Sequence, residues 1–105
     1  MSPTDPLAVF VPINDILTER VRQDVKWGEQ NHDAERWMLI LGEEYGEAQK
    51  AALELTVAVE RKPLDAAKVV RFVGEYRREL VQVAAVALAA IECLDRNTGS
   101  GEERP

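Results

Sequence analysis

The chain has 105 residues, of which 46% are hydrophobic, 6% aromatic and 30% charged, and it carries a formal charge of −6. That length fits one domain with a modest core, and the abundance of helix formers with only 6 Gly argues against an all-β fold. The acidic excess, with no basic patch to offset it, argues against a nucleic acid polymer as partner. The longest apolar run, residues 83–91, is about half of what a membrane span needs. The single Cys93 permits no internal disulfide, and with no signal peptide the expected location is the cytoplasm.

In chain order, residues 1–12 hold three prolines and no helical period, and read as an extended N-terminal arm. Asn14 or Asp15 is the expected cap of a first helix reaching Trp27, with Ile13, Ile16, Leu17, Val21 and Val25 forming an apolar face. Gly28 ends it, and residues 28–33 form a polar loop whose Asp33 caps the next helix. The second helix is expected over residues 34–60, with Trp37, Leu41, Ala48, Ala51 or Ala52, and Leu55 on the buried side. Its two glycines, Gly42 and Gly46, suggest close packing against another backbone.

Pro63 suits the first turn of a third helix that reaches Asp95 or Arg96, either continuous or divided at Gly74. Residues 80–94 are apolar on nearly every side, interrupted by Gln82 and Glu92. A helix apolar all round is buried all round, so this one is expected to pack against a second subunit, in a homodimer or homotetramer. Residues 97–105 read as a flexible tail. The fold expected is thus one all-α domain over residues 13–96, an antiparallel helical bundle completed by dimerisation.

The second helix carries Glu43, Glu44 and Glu47 within five positions, with Glu44 and Glu47 on one side and Glu43 one turn from Glu47. Such like charges repel, so alone they make either a solvated face or a site for a cation. Glu79 and Gln82 stand at i, i+3 where the final helix turns apolar. Antiparallel packing sets them opposite Glu44 and Glu47, giving three carboxylates and an amide oxygen. Oxygen ligands alone suit magnesium or manganese. A di-iron bundle would need Glu-x-x-His motifs, and the only histidine, His32, lies outside the helices.

Three blocks in order, Lys26-Trp27-Gly28-Glu29-Gln30-Asn31-His32, Gly42-Glu43-Glu44-Tyr45-Gly46-Glu47 and Glu79-Leu80-Val81-Gln82-Val83-Ala84-Ala85, resemble the MazG-like branch of the all-α nucleoside triphosphate pyrophosphatases. The resemblance spans about residues 18–95. Its Glu-x-x-Glu element is met by Glu44 and Glu47; its second element, usually Glu-x-x-Asp, is met at Glu79 and departs at Gln82. What the resemblance implies is magnesium-dependent hydrolysis of a nucleoside triphosphate to monophosphate and pyrophosphate. Glu44, Glu47, Glu79 and Gln82 would then hold the metal, and Glu43 would orient the attacking water.

Under the same reading Lys26, Arg22, Lys50 and Arg78 are candidates to meet phosphates, while Trp27, Trp37 or His32 would stack on a base. The amide of Gln82 ligates through oxygen but removes one negative charge. A non-catalytic helical module that binds nucleotide or a protein partner therefore stands beside the enzyme reading.

Overall fold

The computed structural model describes residues 5–99 and, within them, is all-helical. A short 3-10 turn, Pro6–Val9, leads into helix α1 (Phe10–Trp27), followed by α2 (Ala34–Glu60) and α3 (Ala66–Thr98). Helicity begins earlier than the prolines suggest. The Asp5 carboxylate accepts from the Leu7 N–H at 2.9 Å and Pro6 opens the turn, while Pro12 falls in the first turn of α1, where no N–H has an intrahelical partner. The expected extended arm is thus helical from residue 6, and Val9, not Asn14 or Asp15, precedes the helix.

Gly28, at φ 74°, closes α1, and Asp33 caps α2 by accepting from the Arg36 N–H at 2.8 Å, both as the sequence indicates. Asp65 does the same for α3 through the Lys68 N–H at 3.1 Å, so Pro63 lies before the helix instead of in its first turn. Gly74 does not divide α3; the helix runs through it, and a Cβ there would meet nothing within 4 Å. Of the expected tail, Asn97 and Thr98 belong to α3 and Gly99 ends it in the left-handed conformation; residues 100–105, like residues 1–4 of the arm, lie outside the described residues.

α3 is the spine. α2 packs along it antiparallel, placing Trp37 against Val86, Ala89 and Cys93, with Ile40, Leu41 and Ala90 around them. Small residues (Ala48, Ala51 and Ala58 on α2, Ala85 and Ala89 on α3) line the buried faces and let the two helices approach. α1 lies on another side of the spine, also packs on α3, and makes no helix contact with α2 among the described residues.

α1 is turned opposite to expectation. The side facing α3 holds Asp15, Ile16, Glu19, Arg20 and Gln23, whereas Ile13, Leu17, Val21 and Val25 are exposed, Val25 by 83%. Polar bonds hold it: the Arg20 guanidinium lies 2.7 Å from Glu92 Oε2, and that of Arg77 lies 2.7 Å from Asp15 Oδ2. Gly42 and Gly46 also differ from expectation, since a Cβ at either would meet nothing within 4 Å among the described residues.

Candidate active site

Because α1 and α2 leave the spine on different sides, a cleft opens between them. It encloses about 370 Å³. α1 supplies Arg20, Gln23, Asp24 and Trp27 to its wall, α2 supplies Trp37, Ile40 and Glu44, and α3 supplies Gln82, Val86, Ala89, Glu92 and Arg96. The loop of residues 28–33 closes one end and is tied to α3. Arg96 donates to the Gln30 carbonyl at 3.0 Å and pairs with Glu29 at 3.2 Å, and Asn97 donates to Asn31 Oδ1 at 2.9 Å. The positive φ of Gly28 turns the chain sharply enough for this return.

Two tryptophans flank the cleft. Trp27 is half exposed on α1, with the Lys26 ammonium 4.6 Å from its ring centre. Trp37 is buried on α2, edge-on to His32 at 4.9 Å between ring centres, and its Nε1–H makes no hydrogen bond among the described residues. The same indole N–H favours the Cys93 thiolate and, with the His32 backbone and Asn97, holds that thiol below its ordinary pKa against the opposing effect of burial.

The acids gather at the other end. Glu44 lies on the inward side of α2, half-buried, and its pKa is raised, first by burial and then by Glu79, Glu47, Glu43 and Glu19. Four carboxylates thus act on one, and no cation is among the groups that perturb it. Glu19 is the addition that sequence reasoning missed. Its pKa is lowered, first by hydrogen bonding to Arg22 at 2.6 Å and also by the amide of Gln82, against the effect of burial. Asp15, Glu19 and Gln23 at i, i+4 and i+8 were the available signal, a polar stripe that ordinarily faces water.

The structure brings Glu44, Glu79 and Gln82 to one region of the α2–α3 seam and adds Glu19 from α1. Glu47 and Glu43 stand at its exposed edge on α2. No group of three or more His, Cys, Asp or Glu side chains among the described residues is arranged to hold a metal ion. Lys50 and Arg78 are exposed and outside the cleft lining, although helical spacing puts Lys50 one turn after Glu47 and Arg78 one turn before Gln82. Arg22 is occupied by Glu19 and Lys26 by the Trp27 ring. Arg20, Glu92 and Arg96, none of them a site candidate from the sequence, line the cleft directly.

Comparison of the chain with family models, with curated proteins and with solved structures finds no match. None of the helices is long and apolar enough to cross a membrane among the described residues.

Proposed function

We propose that the cleft is the active site of a magnesium-dependent nucleoside triphosphate pyrophosphohydrolase of the MazG-like kind, working as a homodimer or larger homo-oligomer. The observation that carries this reading is Glu44, a half-buried carboxylate pressed by four others and perturbed by no cation, beside a cleft with a tryptophan on each wall. Unneutralised oxygen donors suit a hard divalent ion, and Glu44, Glu47, Glu79 and the amide oxygen of Gln82 would hold it. Bound magnesium, or manganese in its place, supplies neutralisation of phosphate oxygens and in-line orientation of water. Glu43, on the exposed edge of the acids, would accept the proton of that water.

Trp27 and Trp37 offer planar faces for a base. Lys50 and Arg78, exposed beside the acids, would meet phosphate oxygens that reach out of the cleft. The expected outcome is pyrophosphate release from one or more members of a panel of canonical and modified triphosphates with magnesium, lost in Glu47→Ala. No release above that variant overturns the enzyme reading.

One observation favours a second reading, a nucleotide-binding module without turnover. The Gln82 amide donates to Glu19 through its nitrogen, and its carbonyl oxygen is a neutral ligand where the resemblance implies the charged carboxylate of an aspartate. Calorimetry separates the two: nucleotide binding with magnesium and no pyrophosphate release would mark the module.

A further inference from the structure

A second hollow lies at the end of the α2–α3 seam farthest from the loop of residues 28–33. It encloses about 320 Å³. Leu53, Val57 and Ala58 from the last turns of α2 and Phe72 from the start of α3 give it an apolar floor, while Arg61 and Lys68 stand where the chain passes from one helix to the other. Leu53 and Val57 are more than half exposed, so the floor is open to a ligand. Glu54 is the one acid of this lining, and it lies about 10 Å back along α2 from Arg61.

The charge around the hollow runs against that of the whole chain. Residues 61–71 carry Arg61, Lys62, Lys68 and Arg71 and a single acid, Asp65, within a chain of net charge −6. That acid is taken up in starting α3, where it accepts from the Lys68 backbone N–H at 3.1 Å. Neither the Arg61 guanidinium nor the Lys68 ammonium makes an ion pair among the described residues.

Two unpaired cations at one end of an apolar hollow fit an anionic head on an apolar tail. At roughly 30 Å³ for a group the size of a water, the volume has room for about ten carbons. We propose that this hollow binds a medium-chain carboxylate, its head between Arg61 and Lys68 and its tail along Leu53, Val57 and Phe72. The ends of the chain itself do not match: residues 1–4 carry no acid, and residues 100–105 follow Thr98, which about 45 Å of helix separates from Lys68. Six extended residues span only about 20 Å. The proposal stands apart from the catalytic reading, since the hollow begins about 14 Å along α2 from Glu44.

Calorimetric titration of the full chain with decanoate, decanol and decylammonium, each below its micelle concentration, tests it. One decanoate should bind per chain, decanol about tenfold more weakly for want of the charged contact, and decylammonium more weakly again. No binding of decanoate, or no preference among the three heads, overturns the proposal. Lys68→Met should bring decanoate down to the level of decanol, and Val57→Trp, which fills the hollow, should abolish binding, each with helicity retained by circular dichroism. Unchanged decanoate binding in either folded variant overturns the assignment of the site. Co-sedimentation with vesicles containing phosphatidylglycerol, by a chain that ignores decanoate, would show that a membrane surface covers the hollow instead, and self-association that Val57→Trp disrupts, again without decanoate binding, would show that a second copy does.

Discussion

Arg20 on α1 and Glu92 on α3 are 72 residues apart and joined by a charged hydrogen bond of 2.7 Å, with Arg20 also reaching Gln23 at 3.1 Å and Asp24 at 3.2 Å. The Arg20 side chain keeps only 11% of its surface exposed. This bond, with Arg77–Asp15, takes the place that apolar packing usually holds between two helices. Arg20→Met should lower stability by about 1.5–3 kcal/mol, the range for a lost hydrogen bond to a charged group. A double-mutant cycle with Glu92→Gln in urea should return a coupling of about 1 kcal/mol; additive losses would mean the pair does not hold α1 in place.

Glu44 gives a prediction whose sign is set by linkage. Its folded pKa is raised by burial and by Glu79, Glu47, Glu43 and Glu19, so folding disfavours its ionised form. The folded chain binds the proton more readily than the unfolded one, and stability is lost as pH rises from the ordinary carboxylate range through the raised value. Glu44→Gln should therefore stabilise the metal-free protein at neutral pH, by less than about 1 kcal/mol once solvent screening is allowed for. That gain should vanish in acid. Magnesium should raise the melting temperature of the wild type and leave that of Glu44→Gln unmoved, as scanning fluorimetry would record.

Trp37 and Cys93 give a second titration. The indole N–H is the largest influence lowering the thiol pKa, so Trp37→Phe should move it upward while keeping most of the packing. Thiolate absorbance followed against pH reads the shift, and Asn97→Ala should move it the same way by less. An unchanged titration in Trp37→Phe would show that the indole does not act on the sulfur.

Asp33 closes the cleft loop onto α2 by accepting from the Arg36 N–H. Asp33→Ala should cost about 1 kcal/mol, with Asp33→Ser recovering most of it, as thermal or chemical unfolding would measure.

Local signals marked much of this fold. The bounds of α2 follow from Asp33 and the break at residues 61–63, and its inward face from Trp37, Ala48 and Ala51. Leu17, Val21 and Val25 correctly marked α1 as amphipathic, yet the usual inference that the apolar side faces the chain's own core fails there. That inference assumes apolar packing decides which side of a helix turns inward, and a helix clamped by Arg20 and Asp15 breaks it. At the candidate site, the closeness of Glu44 to Glu79 and Gln82 was legible because antiparallel packing of two helices fixes which turns meet. Glu19, Glu92 and Arg20 were not, because α1 joins them through side-chain bonds across more than 60 residues, and periodicity carries no record of such pairs.

The separation of α1 from α2 on a shared spine bears on how the protein can change over time. One wall of the cleft holds Trp27 and Arg20, the other Trp37 and Glu44, and the two make no helix contact among the described residues. Substitutions at Trp27 or Arg20 on α1 would therefore alter one wall of the cleft while Glu44, Glu79 and Gln82 keep their backbone setting on α2 and α3; only Glu19 carries a change on α1 to the acids. The two walls are thus free to vary separately over time, save at the one α1 position that touches both.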